Sequence, residues 1–247
     1  MDMTLYTDED GKNIKIKIVP EYRDYVHIFS QEKINALPEY SKYNHRINLI
    51  PEAKLPDGPI YPLSKMEVEA LWDYIMEMED HGKIRRSSLP IGVAMLFVPK
   101  PDGTLQLGVD YRGVNKITVK NNYPLPLMSE LRSRLGKATL FTKLDLKNGY
   151  YLIRIAEGEE WKTAYKSMYC HYEYTVMPFG LCNAPSMFQS LINDVLRDIL
   201  DVGVIANMED ILIYTETVEE HVALARRVME WLQMARLCVS IKKSSFH

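Results

Sequence analysis

The run Val202-Gly203-Val204-Ile205-Ala206, then Asn207-Met208-Glu209-Asp210, then Ile211-Leu212-Ile213-Tyr214 sets two apolar, β-branched segments on either side of four residues. So short a connection between strand-forming segments is hairpin geometry. The turn is acidic, and period-two alternation sends the side chains of Glu209 and Asp210 to opposite sides. Another carboxylate stands in a similar place: Asp145 follows Leu140-Phe141-Thr142-Lys143-Leu144, within a strand read over 139–146. A sheet that laid the hairpin beside that strand would bring two or three carboxylates to one edge. Like charges so close repel strongly at low dielectric. The usual remedy is a hard cation such as Mg²⁺, and paired ions of this kind serve phosphoryl transfer. The plainer reading is that turns favour acidic residues and that Asp145 merely caps a strand.

Outward from this core, strands and helices interleave. Ser64-Lys65-Met66-Glu67 is a capping box, with Val68, Leu71, Trp72, Ile75 and Met76 expected on one buried helix face that ends near His81-Gly82. Strands are read over 91–98 and 105–109, joined through Lys100-Pro101-Asp102-Gly103. Leu127, Leu131 and Leu135 place a stripe on a short helix finishing at Gly136. Further strands are expected over 151–155, 171–177 and 237–241. Asn183-Ala184-Pro185 is expected to open a helix reaching Leu200, with Asn183 as its N-cap. An amphipathic helix is read over 218–236. Before all this, 13–19 alternates like a strand, and 20–37 has irregular helical spacing. The stretch 38–62, with five prolines, reads as an extended arm lying on the next unit. Hairpins mixed with helices make the class α+β.

With 247 residues, 47% apolar and 26% charged, the chain is neither disordered nor fibrous. No apolar run nears the roughly 20 residues of a membrane span, and the acidic start Met1 to Asp10 is no signal peptide. The expectation is an intracellular protein, cytoplasmic or nuclear, that is not secreted and has no membrane partner. Cys170, Cys182 and Cys238 fit neither a disulfide framework nor a zinc site. Net charge is −3, yet the stretch from Lys100 to Lys147 holds nine basic residues against four acidic, a local +5. A local basic excess of this size suits phosphate contacts or a solvated surface equally well.

Three ordered blocks decide between these readings: Phe141-Thr142-Lys143-Leu144-Asp145-Leu146-Lys147-Asn148-Gly149-Tyr150, then Trp161-Lys162-Thr163-Ala164, then Met177-Pro178-Phe179-Gly180-Leu181-Cys182-Asn183-Ala184-Pro185. With the acidic hairpin, Val109-Asp110-Tyr111-Arg112, Asn115-Lys116 and Tyr123-Pro124-Leu125-Pro126, they closely resemble the reverse transcriptase of gypsy-type long-terminal-repeat retrotransposons. The resemblance runs from about Val19 to the end. It implies a right-hand polymerase whose antiparallel palm sheet packs on helices. Fingers would span 60–119 and 152–185, palm 120–151 and 186–247, after an N-terminal extension and arm over 1–59. Thumb, ribonuclease H and integrase would be absent. Partners would be an RNA or DNA template with primer and deoxynucleoside triphosphates, with two Mg²⁺ ions, or Mn²⁺, as cofactor; oligomeric state is left open.

Position by position, the resemblance makes Asp145, Glu209 and Asp210 the catalytic, metal-binding carboxylates. Tyr150 would be the steric gate beneath the incoming sugar. Phe179 and Gly180 would floor the nascent base-pair pocket, and Arg112 would touch the template. Lys100 would lie in the fingers hairpin over the triphosphate, and Lys243 near the departing pyrophosphate. Departures accompany the match. The family's Tyr-x-Asp-Asp hairpin is here Asn207-Met208-Glu209-Asp210, and Gln106 stands where Arg is usual. Gly108 and Ser244 replace usual cysteines, and Tyr151-Leu152 is unusual beside the gate. Glu adds a methylene where Mg²⁺ demands near-ideal geometry, and a neutral amide makes no charge-assisted fork. The expectation is an RNA-directed DNA polymerase by descent with activity weakened or lost; the alternative is a non-catalytic nucleic-acid-binding or interaction module.

Overall fold

The fold is taken from a computed structural model, which describes residues 4–7, 13–16, 20–29, 35–99, 105–126 and 134–246. In chain order the elements are β1 (Thr4–Thr7), β2 (Asn13–Ile16), a 3-10 helix (Pro20–Phe29), α1 (Lys65–Asp80), β3 (Ile84–Arg86), β4 (Val93–Pro99), β5 (Leu105–Val109) and α2 (Arg112–Ile117). Then come β6 (Leu140–Asp145), β7 (Tyr165–Lys166), β8 (His171–Tyr174), α3 (Ala184–Val195), β9 (Val204–Asn207), β10 (Asp210–Thr215) and α4 (Val218–Met234), with short 3-10 turns at Gly149–Leu152 and Glu160–Thr163. The chain forms two compact units: residues 1–36, 123–149 and 188–247 make one, and 37–122 with 150–187 the other. The segment 1–59 read as one extension therefore divides at Ala36.

In the first unit the antiparallel sheet has the order β6-β10-β9. Alternation along β6 buries Thr142 and Leu144 and leaves Phe141 and Lys143 exposed; on β10 it buries Ile211 and Ile213. The buried face meets α4, which presents His221, Ala225, Val228, Met229 and Leu232 at helical spacing. Thr217 caps that helix by accepting from the Glu220 N–H. His221 is fully buried, its ring nitrogens 2.8 Å from Thr142 Oγ1 and 2.9 Å from Thr215 Oγ1, so its polar atoms are satisfied inside the core. The expected strand over 237–241 does not form. Arg236 turns with φ 57°, and pairing is limited to an isolated bridge between Val239 and Leu146.

The second unit holds a five-stranded sheet in the order β3-β8-β7-β4-β5, antiparallel except for the β4–β7 pair. The Ser64 capping box is present, with Glu67 Oε2 accepting from the Ser64 N–H at 2.8 Å. The helix it opens buries Leu71, Ile75 and Met78 rather than the expected face: Trp72 and Met76 are half exposed. The buried stripe is rotated by about one residue, and Trp72 packs edge-on against the Tyr169 ring at 5.2 Å instead. The proline-rich stretch is an arm without helix or strand, held by backbone bonds such as His45 N–H to Arg154 O (2.7 Å) and Gly58 N–H to Gly92 O (2.9 Å). Gly58 is required there, because a Cβ would stand 2.4 Å from Ala94 N.

Several other expectations shift. Residues 151–155 form the end of a 3-10 turn and two isolated bridges rather than a strand, following Asn148 at φ 52°. Helix α3 stops at Val195, and 196–199 tighten into turns. Asn183 does not cap it with its side chain: Oδ1 accepts from the Asn121 N–H and Nδ2 donates to Val119 O. The Leu127/Leu131 stripe and the Lys100–Gly103 turn lie outside the described residues. Among the described residues no helix is long and apolar enough to cross a membrane.

Candidate active site at the β6–β10 edge

Antiparallel register sets Asp210 directly opposite Asp145, Ile211 opposite Leu144 and Leu212 opposite Lys143. Paired residues of an antiparallel sheet share a face. With Thr142, Leu144, Ile211 and Ile213 committed to the core, Asp145, Asp210 and Lys143 share the other face. The hairpin closes at Asn207–Asp210, leaving Met208 and Glu209 as a two-residue turn with Met208 at φ 52°. Glu209 O accepts from the Leu146 N–H at 2.7 Å, which fastens the turn to the end of β6.

The three carboxylates have different surroundings. Asp145 is the most enclosed of the outward pair, with 16% of its side chain exposed, and Lys243 Nζ lies 3.7 Å from its Oδ1. Its backbone N–H donates to Ser244 Oγ at 3.1 Å, and the Ser244 hydroxyl donates to Ser240 O at 2.7 Å. Asp210 is exposed and pairs with Lys143 Nζ at 2.9 Å, which raises the lysine's pKa through that hydrogen bond and the Asp210 charge. Glu209 is half-buried, and its Oε1 is buried without a hydrogen-bond partner. Burial first, then the Asp145 charge, pushes its carboxyl above the usual range; Lys243 and the Gly149 amide oppose the rise, and Asp210 adds to it. Gly149 leaves the space this side chain uses, since a Cβ there would stand 3.2 Å from Glu209 Oε1.

Asp145, Glu209 and Asp210 thus meet at one edge. Among the described residues, however, no three His, Cys, Asp or Glu side chains are grouped as a metal site. Mg²⁺ commonly takes one or two carboxylates and completes its shell with water and phosphate oxygens. An orphaned buried carboxylate oxygen beside a second carboxylate is a donor set that fits such an ion.

The other predicted residues lie in the second unit, except Lys100, which is outside the described residues. Arg112 opens α2 and is largely exposed, gripping Asp110 through Nε (2.8 Å) and Nη2 (2.7 Å), which lowers the Asp110 pKa. Tyr150 meets the Phe179 ring edge-on, centroids 4.7 Å apart. Phe179 is 40% exposed and is no core residue. Gly180 has φ 95°, in the left-handed region, and its carbonyl accepts from Asn115 Nδ2 at 2.7 Å. Asn115 Oδ1 accepts from the Cys182 N–H at 2.8 Å, so one amide staples the 180–182 loop from both sides. Lys143 and Gly149 were given no role from sequence, and Ser244 was noted only as a replacement for a usual cysteine; the mixed-charge register of β6 was the available signal for Lys143.

The family model described as "Reverse transcriptase (RNA-dependent DNA polymerase)" matches residues 98–247. The chain is 40% identical over 187 residues to the Transposon Tf2-3 polyprotein of Schizosaccharomyces pombe, covering 76% of this chain and 14% of the relative. It is also similar to prototype foamy virus protease-reverse transcriptase in its native crystal structure, with 26% identity and a TM-score of 0.76 over 91% of this chain and 30% of the other. The foamy viral protein in complex with double-stranded DNA gives 26% identity and a TM-score of 0.79, covering 92% of this chain and 47% of the other. The chain therefore spans a small fraction of the polyproteins it matches. The α+β class with an antiparallel sheet packed on helices is the fold these structures share with it.

Proposed function

The chain belongs to the reverse transcriptase family, and from that premise we propose that its β6–β10 edge is a nucleotidyl-transfer centre of weakened turnover, descended from a retrotransposon polymerase. The single observation that carries the reading is the pairing of Asp145 with Asp210 beside Glu209. The palm would be 120–151 with 186–247, carrying Tyr150, and the fingers 60–119 with 152–185, carrying Lys100, Arg112, Phe179 and Gly180. Template and primer would be RNA or DNA, consistent with the duplex held by the foamy viral relative, and deoxynucleoside triphosphates the other substrate. A primer 3′-hydroxyl oxygen would bond to the α-phosphorus as the bond to pyrophosphate breaks.

Asp145 and Glu209 would hold two Mg²⁺, or Mn²⁺, which when bound offset the carboxylate charge and polarise the phosphate oxygens. Asp210 would keep Lys143 at the edge, and Lys243 would neutralise the departing pyrophosphate. Tyr150 would exclude a 2′-hydroxyl, with Phe179 and Gly180 under the base pair, Arg112 on the template and Lys100 over the triphosphate. Weakness follows from Glu209, whose oxygen is displaced by a methylene, from Asn207, and from Gln106, which is exposed on β5 and carries no charge.

A second reading has its own support: Lys143 and Lys243 already neutralise Asp210 and Asp145, which suits a module that binds nucleic acid without turnover. Primer extension on poly(rA)/oligo(dT) with Mg²⁺ or Mn²⁺ separates the two. Incorporation should be low, abolished in Asp145→Asn, and raised toward the roughly 10²-fold that ångström-scale misplacement costs in Glu209→Asp with Gln106→Arg. Equal incorporation by the parent and Asp145→Asn would refute the polymerase reading, and duplex binding that weakens steeply with salt would then favour the module.

A further inference from the structure

Gln189 on α3 is fully buried, and its amide reaches the first arm of the acidic hairpin and its turn. Nε2 donates to Ala206 O on β9 at 3.1 Å, and Oε1 accepts from the Met208 N–H, at the first turn residue, at 2.7 Å. The same Nε2 donates to Asn193 Oδ1 at 2.8 Å, one helical turn on, and Asn193 Nδ2 donates to the Tyr123 phenol oxygen at 2.8 Å. Each amide's orientation is thereby fixed by the next, which a carboxylate or a thioether could not reproduce.

Met208 is a non-glycine residue in the left-handed region, a conformation that persists only where its surroundings impose it. The bond that meets its N–H comes from Gln189, one residue before Glu209. Tyr123 opens Tyr123-Pro124-Leu125-Pro126, a block whose place in the chemistry is otherwise unassigned.

We infer that Gln189, braced by Asn193 and Tyr123, is a positioning residue that fixes the turn carrying Glu209 and Asp210, and so sets where their carboxylates stand. Its link to metal uptake rests on the reading of this edge as a nucleotidyl-transfer centre; its hold on the turn does not. Gln189→Met keeps the side-chain volume and removes all three bonds, while Tyr123→Phe removes only the outermost acceptor. Val228→Ala, in the α4 core and outside the relay, serves as a control for lost stability.

The experiment compares amide hydrogen exchange at Met208 with calorimetric Mn²⁺ titration in the parent chain and these variants. Gln189→Met should speed Met208 exchange and weaken Mn²⁺ binding, each on the order of tenfold, the loss expected for one buried hydrogen bond. Tyr123→Phe should move both in the same direction by less, and Val228→Ala should move neither beyond its general loss of stability. If Gln189→Met and Val228→Ala change Met208 exchange equally, the positioning role is overturned. If the parent takes up no Mn²⁺, the reading of the edge fails, and Met208 exchange still decides the relay.

Discussion

Two carboxylate clusters, one in each unit, are surrounded differently. In the second unit, Glu160 and Glu173 are buried and face one arginine: Arg85 Nε lies 2.8 Å from Glu173 Oε1, and Nη2 lies 3.5 Å from Glu160 Oε2. That Glu160 oxygen, like Glu209 Oε1, has no hydrogen-bond partner, but it does have a guanidinium charge beside it. In the first, Asp145, Glu209 and Asp210 crowd one sheet edge, where flexible lysines face two of them and one oxygen of the third has no partner. A guanidinium shared between two buried carboxylates offsets their charge and ties β3 to its neighbours, although Arg85 itself is half exposed. Carboxylates brought together at an edge without a guanidinium between them repel one another, and the fold gains nothing from their proximity. Burial also sets opposite pH responses in the two units, and these test the contrast most sharply.

His45 gives the largest effect. Its ring is almost wholly buried, Nδ1 has no hydrogen-bond partner, and burial lowers its pKa from 6.5 to about 4 against a weaker opposing pull from Glu159. The neutral ring is therefore the folded form. Its stabilisation is complete above pH 6.5 and is lost as pH falls through about 4, worth about 3 kcal/mol at the acid end. Urea unfolding at pH 7 and pH 4.5 should show this loss in the parent and much less of it in His45→Gln. The same slope in both proteins would remove His45 as its source.

How much of this was legible in the sequence depended on whether the deciding contact was local. The capping box at Ser64, the β4–β5 pairing and the β9–β10 hairpin each lie within a short window, and each formed, the hairpin closing on a two-residue turn instead of the four-residue connection read. Strands β3 and β7, of three and two residues, are too short to show alternation; β3 exists through β8, far along the chain, and β7 pairs in parallel with distant β4 as well as with nearby β8. The exposed Trp72 and Met76 show the same limit: periodicity found a helix, but which stripe is buried depends on what packs against it. At the candidate site, order and spacing brought out Asp145, Glu209 and Asp210. The contacts of Lys143 and Ser244 depended on cross-strand register and on the path of the chain after 237–241, a stretch expected as a strand that does not form.

A middle-sized effect is expected where backbone and site meet. A Cβ on Gly149 would stand 2.5 Å from Phe188 Cζ and 2.9 Å from Cε2, and Phe188 is fully buried, so its ring has little room to yield. Gly149→Ala should cost about 1–3 kcal/mol in thermal unfolding. Combining it with Phe188→Leu should cost less than the two single changes together, because the smaller side chain vacates the space the methyl needs. Additive losses would mean that the glycine serves something other than this close approach.

The smallest effect has the opposite sign to that of His45. Glu209 has its carboxyl pushed upward by burial and by the Asp145 charge, so the protonated form is the one the fold favours. Its contribution is fully present below the ordinary carboxylate range and is lost as pH rises through the raised value, leaving the charged side chain a net strain at neutral pH. Glu209→Gln imitates the protonated form and should raise the melting temperature slightly at pH 7, with the gain vanishing at pH 4. Asp145→Asn removes the largest charge that acts on Glu209, and should lower the Glu209 titration midpoint followed by carboxyl carbon resonances. The two variants separate the causes: a gain from Glu209→Gln with no movement of the midpoint in Asp145→Asn would assign the strain to burial alone. The edge would then lack the mutual repulsion that distinguishes it from the matched carboxylates of the second unit.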